Sequence, residues 1–272
     1  MNNEKSWHSW SRNLWKTGED RWIKRNGQDY YYRQQVVLPA IREKLSHLAR
    51  IPSIIDLGCG DGYTLNELLD DQNIPFNDDI CVAIIDISKK QLKIAKKLLE
   101  KKVRNLKVVK NDLNDESWTE LIKGYEAPRI FMNIFVLQEM YSVHSFFSNI
   151  SEVLEKDDLL LSIIVAPEFA CNLSEREPKM AQIGKGANFV KDWDWAAKYP
   201  ISTSPSTIYL PYFHRTMLDY KKIISKYDLR IVETKYLQVP DNQEARNIFK
   251  TTVYKEDIVG VNSSVLMCIK KK

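Results

Sequence analysis

The sequence predicts an α/β fold built on one doubly wound, mostly parallel sheet of seven strands. Three observations carry this prediction. Short apolar runs alternate along the chain with segments of helical hydrophobic spacing. The runs are continuously apolar, which is typical of parallel strands that are covered on both faces. Three of the nine glycines stand within five residues directly after the first run, at the kind of strand end where open α/β sheets bind ligands.

Composition excludes several other classes. The 272 residues fit one domain with insertions, and 44% hydrophobic with 28% charged residues is ordinary for a globular protein. No window approaches the roughly 18 uncharged apolar residues of a membrane helix, and the polar N-terminus is unlike a signal peptide. We therefore expect a cytoplasmic protein. The four cysteines form no CxxC pair, so we expect no zinc or other metal site and no disulfide framework.

Charge gives a weaker indication of partners. Basic residues outnumber acidic ones by 40 to 36, with lysines spread over helix faces such as 89–102. We interpret these as solvated helix faces, so we expect no nucleic-acid or membrane partner. A basic surface for nucleic acid or an anionic membrane is the alternative interpretation. We expect a monomer or a homodimer.

The first elements can be justified in order. Residues 1–35 hold four tryptophans and are too aromatic for a disordered tail, so they should pack on the rest of the chain. From Val37 the apolar residues follow helical spacing, with Pro39 tolerable near the first turn. The run at 53–57 is predicted to be the first buried strand, and it ends on the glycine cluster.

The remaining elements follow the same logic. Further strands are predicted at 81–85, 106–109, 128–135, 159–165, 229–232 and 264–269. Helical spacing predicts helices between them, and Ser88 with Gln91 predicts a capping box at the start of one helix. Residues 166–212 are rich in proline and aromatic residues and are interpreted as a cap inserted after the fifth strand, above the carboxyl ends of the strands. The stretch 238–260 is expected to be irregular.

The glycine cluster has the form GxGxG and follows an acidic residue, Asp56. A strand that runs into glycines and then into a helix lets the backbone approach a ligand closely and offers it the N–H groups at the helix start. A dinucleotide fingerprint would need GxGxxG, but Tyr63 stands where its last glycine would be. The cluster therefore indicates a nucleotide-type ligand other than a dinucleotide.

These residues resemble the first motif of the class I S-adenosylmethionine-dependent methyltransferases, and the resemblance extends from about Tyr32 to the last strand. It implies the Rossmann-like fold of that family, with S-adenosylmethionine as cofactor. It also implies an organisation in four parts. These are an N-terminal aromatic-rich helical lid at 1–50, a cofactor-binding core at 51–165, a substrate cap at 166–212 and the rest of the core sheet at 213–272.

The resemblance assigns roles to the strand ends. In the family, the glycine loop passes under the methionine part of the cofactor, and Asp56 matches a residue that helps to hold the amino group. Asp86 matches the acidic residue that binds the ribose hydroxyls, and Asp112 matches the one that accepts from the adenine amino group. The implied cofactor-binding set is Tyr31, Tyr32, Arg33, Asp56, Gly58, Cys59, Gly60, Asp86, Ile87, Asn111, Asp112, Leu113, Asn133, Ile134 and Gln138. A strand-end carboxylate could instead serve only as a helix N-cap.

Two stretches resemble a subgroup that acts mostly on small molecules. Tyr32 and Arg33 match its N-terminal Tyr-Arg helix, which closes over the cofactor. Residues 213–215 match its Tyr-His-Arg segment, although Thr216 stands where the subgroup usually has proline. In the alternative interpretation, Arg215 and Asp219 form an exposed helical pair and His214 is structural.

Catalysis by this family needs alignment of the acceptor, and a base only if the acceptor carries a proton. His214 and Tyr32 are the predicted catalytic residues. His144, Asp61 and Glu139 are weaker candidates for a base. Six tryptophans could line a substrate pocket or pack the N-terminal segment onto the domain: Trp7, Trp10, Trp15, Trp22, Trp193 and Trp195.

The expected function is methyl transfer to a small molecule in biosynthetic or secondary metabolism. One alternative keeps the cofactor but gives methylthioadenosine, through cyclisation or aminocarboxypropyl transfer. Another is a methyltransferase acting on tRNA or protein. Against it, residues 133–136 lack the Asn/Asp-Pro-Pro-aromatic motif of amino-group methylators. A third is a non-catalytic module that retains the cofactor pocket.

Overall fold

The computed structural model describes residue 13 and residues 27–176, 195–202, 207–250 and 258–272. The predictions for Trp193 and for the N-terminal tryptophans lie outside these residues, and so does half of the predicted lid. None of the described helices is both long and apolar enough to cross a membrane.

A seven-stranded sheet confirms the predicted fold class. The strands of the chain are β1 (Ile51–Leu57), β2 (Phe76–Asp86), β3 (Asn105–Lys110), β4 (Arg129–Ile134), β5 (Leu159–Val165), β6 (Trp195–Ser202), β7 (Thr207–His214), β8 (Leu229–Gln238) and β9 (Asn262–Lys271). The sheet order is β3-β2-β1-β4-β5-β9-β8. The first five of these strands pair in parallel, and β9 pairs antiparallel with both β5 and β8. The carboxyl ends of β1 to β5 therefore meet at one edge, which is where the candidate residues lie.

Helices cover the sheet and connect its strands. They are α1 (Gly27–Tyr32), α2 (Leu38–Leu45), α3 (Tyr63–Leu69), α4 (Lys89–Leu99), α5 (His144–Val153), α6 (Pro167–Arg176), α7 (Met217–Ser225) and α8 (Gln243–Phe249). A π-helical turn at Arg33–Val37 joins α1 to α2, and 3₁₀ turns occur at Glu116–Trp118 and Leu137–Glu139.

The continuous apolar runs have a clear cause. Neighbouring residues of a strand point to opposite faces of the sheet, and each face has its own hydrophobic cluster. Ile54 packs in one cluster with α2, α3, α4 and α8, whereas Ile55 packs in the other with α5 and α7. Every residue of β1 is buried as a result, so the sheet is doubly wound as predicted.

Three parts of the chain differ clearly from the prediction. β2 begins at Phe76, although the apolar run that predicted it begins at 81. The last-but-one strand was predicted at 229–232, but β8 continues to Gln238. It lies at the sheet edge and exposes much of its length, so no continuous apolar run marks it. The stretch predicted to be irregular contains α8, whose N-cap Asn242 accepts a hydrogen bond from the Ala245 N–H.

The predicted capping box is only half formed. The Ser88 hydroxyl accepts from the Gln91 N–H at 3.1 Å, as expected of an N-cap. The return bond is absent because the Ser88 N–H donates to the Asp86 carboxylate at 2.8 Å. Asp86 thus takes the place of the Gln91 side chain, whose oxygen has no partner among the described residues.

The predicted cap region begins with α6, which leads towards a separate antiparallel hairpin of β6 and β7. This hairpin ends at His214, directly before α7. Of the region 166–212, residues 177–194 and 203–206 are outside the described part of the chain.

Candidate functional site

The three glycines of the loop after β1 have different physical roles. All three adopt positive φ, at +79° for Gly58, +55° for Gly60 and +76° for Gly62, a conformation that side chains disfavour. A Cβ on Gly58 would lie 2.4 Å from a methyl of Val136, and one on Gly62 would lie 2.9 Å from the Ala95 Cβ. A Cβ on Gly60 would meet nothing within 4 Å. Gly58 and Gly62 are therefore required by packing, whereas Gly60 presents bare backbone to open space.

Asp86 ties this loop to the next strand end. One carboxylate oxygen accepts from the Gly60 N–H at 2.9 Å and the other from the Ser88 N–H at 2.8 Å. We call this pair of bonds the Asp86 bridge. The strand itself adds two contacts, since the N–H groups of Gly58 and Cys59 donate to the Ile85 carbonyl at 2.8 and 3.2 Å. Each carboxylate oxygen has more than one acceptor site, so Asp86 can still accept from a ligand.

Carboxylates concentrate at this edge of the sheet. Burial raises the pKa of Asp56 to about 7, with further contributions from Asp86 and Asp61 that Arg33 partly opposes. Burial, with the charge of Asp86, also raises the pKa of Glu139 well above its usual value. The pKa of the Cys59 thiol is raised for the same reasons, so it remains a thiol. An edge with this much negative charge favours a cationic ligand.

Arg33 is the main positive charge that the structure brings to the loop. The π-helical turn directs its guanidinium to the start of α3, where Nη1 donates to the Thr64 hydroxyl at 2.8 Å. Its Nε lies 3.3 Å from the Asp29 carboxylate. Arg33 also opposes the rise in the pKa of Asp56. A planar guanidinium in this position can bind a carboxylate of a ligand.

The two tyrosines that precede Arg33 have different surroundings. The Tyr32 hydroxyl is hydrogen-bonded to the hydroxyls of Ser263 and Ser264, at 2.8 and 2.7 Å. Burial raises the pKa of Tyr32 to about 12, so the phenol keeps its proton at neutral pH. Tyr31 instead packs edge-on against Phe249 of α8. Tyr32 therefore connects the end of α1 to β9, whereas the contacts of Tyr31 are with α8.

The loop after β3 is ordered by its own polar side chains. The Asn111 N–H donates to the Asp86 carbonyl at 3.1 Å, which joins this loop to the end of β2. Asp112 accepts from the Asn114 N–H at 3.0 Å. The Leu113 carbonyl accepts from Trp118 and from Asn149. The half-buried Ile87 follows Asp86 directly. The predicted cofactor-binding residues at the end of β2 and those at the end of β3 are thus adjacent in space.

Asn133 lies at the end of β4, and the ligand contact expected of it stays a prediction. Its side chain is fully buried and donates to the Leu57 carbonyl at 2.9 Å, so it connects β4 to β1. Ile134 is half-buried, and Phe135 adopts φ +59°, a conformation that bulky residues rarely take. The Phe135 ring lies 6.0 Å from that of Tyr32. Gln138 is 4% exposed, and its Oε1 has no partner among the described residues.

Arg215 fixes the segment that follows β4. Its Nη2 donates to the carbonyls of Met140 and Tyr141 at 2.9 and 3.0 Å, and its Nη1 donates to that of Leu137 at 3.3 Å. It is 1% exposed. The interpretation of Arg215 as one member of an exposed helical pair is therefore wrong.

Asp219, the other member of that pair, forms a capping box with Thr216 at the start of α7. Thr216 is a helix N-cap, which gives a structural role to the residue that replaces the subgroup's proline.

The two candidate histidines have distinct environments. His214 is 4% exposed, and its Nε2 lies 3.7 Å from the Cys171 Sγ of α6. Its ring also lies 6.2 Å from that of Tyr212. His144 is hydrogen-bonded through Nδ1 to the Tyr227 hydroxyl at 2.7 Å. His214 thus lies at the end of β7 against α6, whereas His144 lies at the start of α5 with a tyrosine partner.

Sequence reasoning missed several residues of this site. Phe135, Ser263 and Ser264 were not predicted, although they surround Tyr32. No local signal marks them, because two serines and a phenylalanine are common at strand ends. Their role depends on the distant pairing of the helical segment with β9.

Comparison with known proteins supports one family. A family model described as a methyltransferase domain matches residues 54–157. This range runs from β1 to the turn before β5 and includes the glycine loop, Asp86 and Asp112. A search of curated proteins finds no match.

Solved structures show the same fold at low sequence identity. Magnesium protoporphyrin IX methyltransferase from Synechocystis PCC 6803, solved with bound SAH, is 15% identical, with a TM-score of 0.57 and coverage of 97% of this chain and 100% of that one. Geranyl diphosphate C-methyltransferase from Streptomyces coelicolor A3(2) is 13% identical, with a TM-score of 0.51 and coverage of 86% and 78%.

A third similar structure comes from a complex that contains the Haloferax volcanii Trm112 methyltransferase activator. Its matching chain is 12% identical, with a TM-score of 0.56 and coverage of 97% of both chains. These three likenesses establish the fold, and the family model adds the methyltransferase domain within it. On these findings together, residues 54–157 match a methyltransferase domain, within a fold that the chain shares with these methyltransferases.

Proposed function

We propose that this enzyme methylates a small molecule, in biosynthetic or secondary metabolism, at a site between the end of β4 and the cap region. We call the end of β7, with Tyr212, Phe213 and His214, the acceptor side. Its burial is the observation that carries the proposal. His214, Tyr212 and Phe213 at the end of β7 are all less than 5% exposed. A side so enclosed fits a small acceptor better than the side chain or base of a macromolecule.

The residues at the strand ends fit the cofactor. Gly60 offers bare backbone with open space in front of it, as a closely bound ligand requires. Asp86 lies beside it with acceptor sites left for ribose hydroxyls, and Asp112 follows β3 on the side proposed for adenine. Arg33 would hold the methionine carboxylate, and Asp56 would hold the ammonium group. The proposed set gives the carboxylate and the ammonium group of the cofactor partners of opposite charge.

In the proposed reaction, the cofactor supplies the activated methyl group and the protein aligns the acceptor with it. S-adenosylmethionine supplies a methyl group that its sulfonium charge already activates. The protein must hold the acceptor in line at near-attack distance and exclude water, which together can contribute several powers of ten in rate. Arg215 serves this alignment by holding the carbonyls of Leu137, Met140 and Tyr141.

His214 is the proposed base for an acceptor that carries a proton. It is shielded from solvent at the end of β7, on the acceptor side. Tyr32 keeps its proton at neutral pH because its pKa is about 12. Its proposed contribution is therefore to position α1 and the π-helical turn over the cofactor and not to accept a proton.

Product analysis tests the proposed reaction. Purified enzyme is incubated with S-adenosylmethionine and a panel of small acceptors, and the nucleoside product is identified by mass spectrometry. We expect S-adenosylhomocysteine together with an acceptor that is 14 mass units heavier, as follows from replacing hydrogen by methyl. Methylthioadenosine as the nucleoside product would show a different reaction of the sulfonium, and methylation of tRNA or protein alone would show a different acceptor class.

A pair of histidine variants tests the base in the same assay. His214→Gln should lower kcat by roughly 10²–10⁴ for an acceptor that carries a proton, the usual contribution of a general base. His144→Gln is the matched control, since His144 contacts Tyr227 and should leave kcat nearly unchanged. Equal effects of the two substitutions would remove His214 from the mechanism.

The glycine loop offers a second comparison. Gly60→Ala and Gly62→Ala both place a side chain at positive φ, at a cost of roughly 1–2 kcal/mol. Only Gly62→Ala also collides with Ala95, so it should lower the melting temperature more. Gly60→Ala projects a methyl group into the proposed cofactor space and should weaken binding of S-adenosylhomocysteine by at least about tenfold. Calorimetric titration and thermal unfolding measure both effects, and unchanged affinity in Gly60→Ala would place the cofactor elsewhere.

The raised pKa of Asp56 predicts that the affinity for S-adenosylhomocysteine depends on pH. Its pKa of about 7 in the folded protein means that the carboxyl is protonated at lower pH and cannot pair with an ammonium group. The affinity for S-adenosylhomocysteine should therefore fall about tenfold per pH unit below pH 7, and Asp56→Asn should have low affinity without this slope.

The pH dependence of the free energy of unfolding gives a second test of the raised pKa of Asp56. Because the folded state binds this proton more tightly than the unfolded state, the ligand-free enzyme should lose stability as the pH rises from about 4 to 7. Urea unfolding at several pH values measures this loss, and Asp56→Asn should reduce it. An identical pH dependence in the variant would contradict the assignment.

A further inference from the structure

The charge of the chain is concentrated in one segment. Residues 89–110 contain ten basic residues and one acidic residue, a net charge of +9. The rest of the chain has thirty basic and thirty-five acidic residues, a net charge of −5. The overall charge of +4 therefore hides a strongly basic region in an otherwise acidic molecule.

The fold sorts these charges onto one surface. In α4, Leu92, Ala95 and Leu99 face the hydrophobic core, so the lysines of the helix point outwards. The neighbouring strand β3 lies at the edge of the sheet. We call the resulting surface the basic face. It consists of Lys89, Lys90, Lys93, Lys96, Lys97, Lys101, Lys102, Arg104 and Lys110.

Little of this charge is neutralised within the described part of the chain. Lys102 pairs with Asp70 at 2.5 Å. Lys93, Lys96 and Lys97 are exposed and form no salt bridge with another described residue. Interrupting apolar residues make the lysines look dispersed in the sequence, but helical spacing places them together. Lys93, Lys96 and Lys97 therefore present a positive field to a partner.

The chemistry of the face indicates which polyanion it fits. Eight of its nine cations are lysines. On the same side of the sheet as α4, the aliphatic side chain of Val108 is 36% exposed. Lysine ammonium groups next to exposed aliphatic groups suit the headgroup region of an anionic bilayer, where lysine stems lie along apolar surface.

RNA fits this surface less well. Recognition of RNA depends on stacking with exposed aromatic rings and on arginine. The large exposed aromatic residues of the described chain, Tyr30 and Tyr236, lie on other elements, and the face contains one arginine.

We propose that the basic face docks the enzyme peripherally on the surface of a membrane that contains anionic phospholipids. The face lies at β3, and three strand spacings separate β3 from β4, a distance of roughly 14 Å. The cap region follows β5, still farther from the face. Docking through β3 and α4 therefore leaves the acceptor side uncovered. This proposal adopts the alternative that the sequence analysis set aside for the lysines.

Vesicle binding tests the proposal on the full chain. Sedimentation with vesicles of neutral phosphatidylcholine is compared with vesicles that also contain about one third phosphatidylserine. We expect binding to the anionic vesicles only, and loss of binding in high salt, because exposed charges are screened. Equal binding to both vesicle types, or binding to neither, would overturn the proposal.

Charge-reversal variants localise the contact. A double variant, Lys93→Glu with Lys97→Glu, should weaken binding to anionic vesicles by at least about 30-fold, given about 1 kcal/mol per lysine near such a surface. The matched control is Lys221→Glu with Lys222→Glu on α7, which packs beside β8 at the opposite edge of the sheet. It should change binding by less than about fivefold, the effect of a single lysine.

Two further readouts complete the test. Both double variants should bind S-adenosylhomocysteine like the parent enzyme, which shows that they are folded. An equal loss of vesicle binding in the control would show that only net charge matters and would overturn the assignment of the face. Retention of total RNA, lost in the Lys93 and Lys97 double variant and without any vesicle binding, would assign the face to nucleic acid instead.

Discussion

The Asp86 bridge is the interaction on which the rest of the site depends. A loop of three glycines at positive φ has little intrinsic reason to keep one conformation, since glycine loses more conformational freedom on folding than any other residue. The Asp86 carboxylate fixes it by accepting from the Gly60 N–H at 2.9 Å and from the Ser88 N–H at 2.8 Å. The ends of β1 and β2 and the start of α4 are thereby held in one arrangement, and the Asn111 N–H extends it to β3 through the Asp86 carbonyl.

The same carboxylate sets the electrostatics of the edge. Asp86 raises the pKa of both Asp56 and Glu139 in addition to their burial. These acids destabilise the ligand-free protein when ionised, and a cationic ligand would relieve that destabilisation. On the acceptor side, Asn133 and Arg215 have the corresponding structural role, since they bind carbonyls on both sides of the β4 end. The proposed site therefore combines an acidic edge on the proposed cofactor side with hydrogen-bonded carbonyls on the proposed acceptor side.

The sequence predicts what depends on local pattern and composition. Burial of β1 on two faces requires a continuous apolar run, and close packing against Val136 and Ala95 requires Gly58 and Gly62, so both features are visible in the sequence. Contacts between distant segments leave no such pattern. The bonds of Tyr32 to Ser263 and Ser264 and those of Arg215 to the loop after β4 come from pairing across more than seventy residues. For the same reason an exposed edge strand such as β8 was predicted too short.

The most direct test of the account is a calorimetric titration of S-adenosylhomocysteine into the parent enzyme and Asp86→Asn. The asparagine side chain has nearly the same shape as the Asp86 carboxylate, but only its oxygen can accept a hydrogen bond. One of the two N–H groups of the Asp86 bridge would therefore face an NH₂ group. We predict an affinity at least about 100-fold lower, since the loop and the proposed ribose contact are both lost. Unchanged affinity in a variant that melts like the parent would contradict the role of Asp86 in organising the cofactor site.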